Sequence, residues 1–310
     1  MNKNDILTGI FSALRLETRL YFEAAFPKAF SVALPRERQH IRFHLVLDGD
    51  AWIRAEDEEP QRLVEGDLAI VPHGSAQIVS DTPTRPPVDL AEVLARHPPE
   101  EGVLSTGGNP ATRLLCGFCA FDEAIAHPLI AGLPALLVVR PAELRDEAAA
   151  AAALRLLAME ATNRREGMPA VVMRLVEIIL IQTIRRLSSE DDQRIGFVAA
   201  LADRRLSRAL YAMHDAPERD WTVELLAKVA GMSRSRFATE FAEDVGRTPI
   251  EYLTAWRLAK ARALLARSGL DIAEIAERCG YRSLPSFSQR FKATFGVSPA
   301  RFRRESRGQA

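Results

Sequence analysis

One pattern of glycine, paired phenylalanines and short polar residues is written twice in this 310-residue chain, about 50 residues apart. The first copy runs Ala227-Lys-Val-Ala-Gly231, then Phe237, Phe241, Gly246 and Pro249. The second runs Ala276-Glu-Arg-Cys-Gly280, then Phe287, Phe291, Gly296 and Pro299. Around the aromatics stand side chains suited to a polyanion: Arg234, Ser235, Arg236, Ala238 and Thr239 in the first copy, and Ser283, Leu284, Ser286, Ser288 and Gln289 in the second. Guanidinium groups neutralise phosphate, a glutamine amide matches the edge of adenine, and an alanine methyl suits that of thymine. A second set, His44, His73, Cys116 and Cys119, is of the types that hold a transition metal or respond to an oxidant.

Local signals place the first set on helices. Thr222 is positioned to cap a helix over Val223–Ala230, and Gly231 permits the left-handed turn that follows it. Ser233 is expected to cap a second helix reaching about Asp244. Phe237 and Phe241, four residues apart, share its inner face and leave the polar residues outside. In the second copy Ser283 takes the cap position and Pro285 the first turn. Helix, tight turn and second helix are the parts of a helix-turn-helix unit, whose second helix can enter a DNA major groove. Pro249–Ala266 predicts one long helix between the copies. Its apolar residues, Tyr252, Leu253, Trp256, Leu258, Ala261, Leu264 and Leu265, would fix the spacing, while Arg257, Lys260 and Arg262 add positive charge.

Charge agrees with this reading without establishing it. The net charge is zero, yet residues 217–310 carry 17 Lys and Arg against 11 Asp and Glu. Residues 1–216 hold 24 basic and 30 acidic groups, so the positive excess lies where phosphate would be met. No stretch approaches the roughly 18 consecutive apolar residues of a membrane span, and the first residues lack the apolar core of a secretory signal. Three cysteines do not make a disulfide scaffold and fit a reducing cytoplasm.

The remainder of the chain reads differently. Residues 1–20 suggest a short amphipathic helix. From Tyr21 to Phe121 short alternating apolar runs are punctuated by turns, as in Ile41–Leu47 before Asp48-Gly49 and Leu68–Val71 before Pro72-His-Gly74. Ala51–Arg54 and Arg113–Phe118 are further strand candidates, and the set suggests an antiparallel barrel or sandwich. Asp81–Pro110 reads as a long loop with a helical turn near Val88–Arg96. Glu143–Arg164 and Pro169–Leu187 predict a helical hairpin whose broad apolar face, at 172–184, suits both core packing and dimerisation.

The C-terminal residues, about 195–305, resemble the DNA-binding domain of the AraC/XylS family of bacterial transcription regulators. Ile272–Tyr281, Ser286–Lys292 and Gly296–Phe302 carry the likeness. Phe43–Gly49, Gly66–Leu68, Pro72–Gly74 and Leu115–Gly117 resemble the cupin-type sensing domain of one AraC subgroup. The resemblance implies an α+β protein: a cupin-like antiparallel β-barrel with a helical hairpin, then an all-α domain with two helix-turn-helix units. Residues 1–187 would sense, with coupling and dimerisation helices at about 141–187; 188–194 would link, and 195–305 would bind DNA. It further implies a homodimer on promoter DNA that contacts RNA polymerase and activates nearby genes.

Three inputs to the barrel stay open: a zinc or other transition-metal ion, an oxidant, or a small organic effector. A metal would draw on His44 and Cys116, with His73 compensating from its turn, since the resembled sensors carry a histidine where this chain has Gln77. Alternation along a strand puts Cys116 and Cys119 on opposite faces, which argues against a joint ligand role or an easy disulfide. The competing reading, a cupin metalloenzyme fused to a DNA-binding module, needs three convergent ligands. The His-x-His pair of catalytic cupins is missing, because Arg42 stands two residues before His44.

Overall fold

Alternating apolar residues become strands on both sides of one core. The computed structural model describes residues 6–14, 16–37, 39–56, 58–121, 127–144, 147–189 and 196–308. After helix α1 (Ile6–Leu14) come β1 (Glu17–Phe26), β2 (Ser31–Leu34), β3 (His40–Asp48), β4 (Asp50–Ala55), β5 (Gln61–Val64), β6 (Leu68–Val71) and β7 (Gln77–Ser80). Then follow β8 (Val88–Asp89), α2 (Leu90–Arg96), β9 (Val103–Ser105), β10 (Thr112–Ala120), the short helix α3 (Pro128–Ala131) and β11 (Leu137–Val139).

The strands do not close into the expected barrel. They form a six-stranded sheet, β11-β6-β3-β10-β1-β9, and a five-stranded sheet, β5-β4-β7-β2-β8. Nor is the pairing wholly antiparallel, since β9 lies parallel to β1 and β8 parallel to β2. Both extra edges come from the segment 81–110, where the sequence suggests mainly loop. Val46, Ile53, Leu63, Val79, Leu114 and Cys116 are buried together in the sheet domain's core. Ala51 and Ile53 alternate with the half-buried Trp52 and exposed Arg54, so β4 turns one face inward and one outward.

Helices α4 (Ala148–Asn163) and α5 (Met168–Ser189) supply the predicted hairpin, turned by Arg164 at φ 45° and Gly167 at φ 83°. Arg164 also reaches Glu23, a buried carboxylate that Arg113 meets at 2.7 Å. An acid this deep is tolerated only with such partners. Glu23 thereby joins β1, β10 and the hairpin turn. Ser188 and Ser189 complete α5 rather than start a linker, and 190–194 lie outside the described residues.

The second unit is helical and differs from the expected boundary. Besides the helices from 196 onward it takes in α1 and residues 127–132, both assigned by sequence to the sensing domain. Its elements are α6 (Phe197–Ala202), α7 (Leu206–Asp215), α8 (Val223–Ala230), α9 (Arg234–Val245), α10 (Pro249–Arg267), α11 (Ile272–Arg278), α12 (Leu284–Phe295) and α13 (Pro299–Gly308). The physical reason for the reassignment lies in side chains. Ile10 and Leu14 are buried, and Gly9 lies against His214 of α7 and Trp256 of α10. His127 hydrogen-bonds Tyr252 of α10 at 3.1 Å.

Candidate nucleic-acid interface

Helix α8 begins with the predicted cap, as Thr222 accepts from the Leu225 amide at 3.2 Å. It ends at Gly231, φ 69°, and the chain turns directly into α9. Ser233 occupies the cap position of α9 but its side chain makes no capping bond, contrary to expectation. Phe237 and Phe241 are fully buried and their rings lie 5.5 Å apart. Arg234, Ser235, Arg236 and Thr239 are exposed, and Ala238 is half-buried between them and the core.

The second unit repeats the arrangement. Its turn passes through Cys279 and Gly280, the latter at φ 78°. Ser283 caps α12 by accepting from the Ser286 amide at 3.3 Å, and Pro285 sits in the first turn. Phe287 and Phe291 are fully buried with rings 5.6 Å apart. Ser283, Leu284, Ser286 and Gln289 are exposed, whereas Ser288 is half-buried. Leu284 is an apolar residue left in water at the start of a polar helix, a placement suited to contact with a base methyl.

Helix α10 joins the units, with Tyr252, Leu253, Trp256, Leu258, Ala261 and Leu265 buried as the pattern predicts. A reciprocal capping box at its start, Thr248 with Glu251, fixes where it begins. Two of its cations do not serve as free positive charge. Arg257 donates from Nε to the Pro217 carbonyl at 2.7 Å and from Nη2 to the Arg219 carbonyl at 2.8 Å. Arg262 lies over the rings of Phe295 and Phe302, at 5.1 and 4.9 Å. Both act in packing, a role their charge concealed in the sequence.

The cations on the outer face of α9 are held only in exposed ion pairs. Arg234 pairs with Glu224 at 2.8 Å and Arg236 with Glu240 at 2.5 Å, all but the last half-exposed or more. Such solvent-exposed pairs contribute little to stability. Arg282, Arg290 and Lys292 are also exposed beside or along α12. In sequence their signal is their closeness to Ser283 and Gln289.

The polar residues of the sheet domain are arranged differently from a metal site. His44 is 1% exposed; Gln77 Nε2 faces its Nε2 at 3.0 Å, and its Nδ1 lies 3.1 Å from Cys116 Sγ. With the amide donating to Nε2, the ring proton sits on Nδ1 and points at sulfur. Burial, aided by Arg42, pushes the His44 pKa down to about 3, so the ring is neutral. His73, expected to assist, instead bonds the Leu133 carbonyl at 2.8 Å from its turn. No three His, Cys, Asp or Glu side chains converge to hold a metal among the described residues.

Cys119 faces away from that cluster, receiving the Thr18 hydroxyl at 3.1 Å near Glu177 of α5. Alternation along β10 therefore separates the two cysteines, as the sequence reading requires. Burial raises both thiols to about 12, leaving almost no reactive thiolate at neutral pH. Cys279, likewise buried and raised to about 12, packs in the second helical core.

Two helix-turn-helix units, each with a buried aromatic pair under a polar exposed face, define a DNA-binding protein attached to a two-sheet domain. Family comparison agrees: residues 5–189 match the Cupin_6 model, described as Cupin, and residues 226–305 match the HTH_18 model, a helix-turn-helix domain. The HTH-type transcriptional regulator AlkR of Acinetobacter baylyi is 32% identical over 97% of this chain and 100% of its own length. A putative AraC-like transcription regulator of Streptomyces lividans is 31% identical over 85% of this chain and 86% of its own. Among solved structures, the DNA-binding domain of AdpA in complex with a target DNA is 33% identical, covering 34% of this chain and 96% of that one, with a TM-score of 0.33. This chain belongs to the AraC-type family of transcription regulators with an N-terminal cupin domain, and its function is DNA-binding transcription regulation.

Proposed function

We propose that the chain is a cytoplasmic one-component activator whose N-terminal unit receives a small-molecule signal and whose helical unit reads promoter DNA. In this reading α9 and α12 enter successive major-groove segments of one duplex. Arg234, Arg236, Ser283 and Ser286 hold phosphates. Ser235, Ala238, Thr239, Leu284, Ser288 and Gln289 lie toward base edges. The observation that carries this reading is the matched pair of fully buried phenylalanines beneath each exposed polar face. That arrangement fixes each helix by its back and leaves its front open to solvent.

Among the three inputs, a small organic molecule has the best support. An oxidant would need a thiolate, which the buried thiols disfavour. A metal would need more than the His44–Cys116 pair. Helices α4 and α5 serve as the coupling and dimerisation elements; Leu156, Met159, Val171 and Ile178 are large apolar residues exposed along them. The active form is then a homodimer on repeated half-sites that contacts RNA polymerase.

Genomic footprinting of the full-length protein tests the reading. Protection should extend over two adjacent major-groove segments per protomer, upstream of genes whose transcripts rise with the protein. Protection of a single groove segment, or loss of transcripts on expression, would overturn it.

A further inference from the structure

A cavity of about 370 Å³ lies within the helical unit, between α1 and α10, walled by Gly9, Ala13, Trp256, Leu264 and the edge of His214. Ligand sites typically begin near this size and are mainly apolar with a few convergent polar groups. The polar groups here are all hydrogen-bond donors or cations, apart from the hydroxyls of Thr8 and Ser12 on the α1 side.

The protonation of His214 follows from a chain of bonds. His127 Nδ1 accepts from the Leu129 amide at 3.1 Å, so the proton of this neutral ring is on Nε2. That proton is donated to the Tyr252 oxygen at 3.1 Å. The Tyr252 hydroxyl must then donate onward to His214 Nε2, at 2.7 Å. Accepting at Nε2 leaves the His214 proton on Nδ1. Burial keeps the ring neutral, with its pKa lowered to about 3, and nearby Lys260 acts in the same direction.

His214 Nδ1 faces α1, for a methyl group built on Gly9 would sit 3.4 Å from it and 3.4 Å from the Trp256 ring. Neither this N–H nor the Trp256 Nε1–H has a hydrogen-bond partner, although both side chains are more than nine-tenths buried. Orphan buried donors are costly and call for an acceptor. Lys260 and Arg267 line the same cavity and pair with no acidic side chain among the described residues.

We infer that this cavity is a binding site for an amphipathic organic acid. Its carboxylate would meet Lys260 and Arg267 and accept from the buried His214 N–H. Its apolar body would fill the space bounded by Ala13, Leu264 and the indole. A bare inorganic anion would leave that apolar wall unfilled, a cationic ligand would be repelled, and a neutral one would bring no counter-charge to Lys260 and Arg267. The site lies outside the sheet domain, on the helix that carries both DNA-reading units, so it is additional to the input proposed there.

Isothermal titration of the full-length protein with 4-tert-butylbenzoate and its uncharged amide tests the site. The acid should bind one per chain, at least tenfold more tightly than the amide. Lys260→Gln with Arg267→Gln should weaken the acid by tenfold or more and leave the amide unchanged. Trp256→Phe should weaken the acid several-fold. Gly9→Leu, which plugs the cavity from α1 and favours the helix, should abolish binding of both without lowering the melting temperature. Equal affinity for acid and amide, no binding of either at millimolar concentration, or undiminished binding to the Gly9→Leu protein would overturn the proposal. A failed footprint would refute the DNA-reading assignment and leave this titration untouched.

Discussion

Replacing Gly280 by alanine should expose a dependence between the two helix-turn-helix units. Gly280 sits at φ 78°, and a Cβ there would lie 2.8 Å from Nε, Cζ and Nη2 of Arg257. That guanidinium is not free to swing away, because it holds the carbonyls of Pro217 and Arg219, just before α8 of the first unit. Left-handed strain at a non-glycine residue costs about 1–2 kcal/mol. Displacing Arg257 forfeits two charge-assisted hydrogen bonds, each contributing about 1.5 kcal/mol at the low end of the range, which suits a half-buried group. Gly280→Ala should therefore destabilise by about 4–5 kcal/mol, and Arg257→Ala by about 3 kcal/mol or more through the same bonds and its stem. Once Arg257 is gone, the alanine meets only the backbone strain. The double variant should then fall short of additivity by about 3 kcal/mol. Native-state hydrogen exchange read separately over 223–230 and 272–280 resolves the local free energies. Additivity within about 0.5 kcal/mol, or protection lost only over 272–280, would refute the shared guanidinium.

Other outcomes follow from the same geometry. Phe287→Ala, at a site with no exposure, should cost about 3–5 kcal/mol in urea unfolding, and an unchanged midpoint would contradict its burial. Gln289→Ala should alter base preference in gel shifts, whereas Arg234→Ala should weaken all sequences alike and lower the salt slope by about 1; identical behaviour of the two would count against the division of roles. His127 and His214 are held neutral by burial, with folded pKa values below the unfolded one. Their stabilisation is full above about pH 6.5 and is lost progressively as pH falls below it, so the helical unit should lose about 2–3 kcal/mol between about pH 7.5 and 5.5. A loss of about half that size would show that one ring is protonated or exposed when folded, and flat stability would show it for both. All three thiols should ignore a thiol-specific dye in the native protein and react after unfolding, since each is buried with its pKa near 12.

Local physics made much of the helical unit legible. Thr222 and Ser283 cap where their types predict, Gly231 and Gly280 adopt the left-handed conformation their positions demand, and each pair of phenylalanines four apart is buried. Every one of these signals is read within a dozen residues, because a helix start, a turn and a face are decided by near neighbours. Strand alternation was legible for the same reason, including the separation of Cys116 from Cys119.

What the residues could not announce depends on partners far along the chain. Whether alternating strands close into a barrel or remain two sheets is set by which edges pair, and here β8 and β9 from an apparent loop supply parallel edges. His73 had the right chemistry for the His44 cluster, but the Leu133 carbonyl, 60 residues on, took its ring nitrogen. Arg257 and Arg262 look in sequence like charge for phosphate, and only packing turned one to carbonyls and the other to aromatic rings. Helix α1 and His127 joined the helical unit through residues more than 80 positions away, a choice among competing apolar surfaces that no window of sequence contains. Composition and spacing thus determined that this protein has two helix-turn-helix units; tertiary contact alone decided which charges stay exposed and which donors are left buried without a partner.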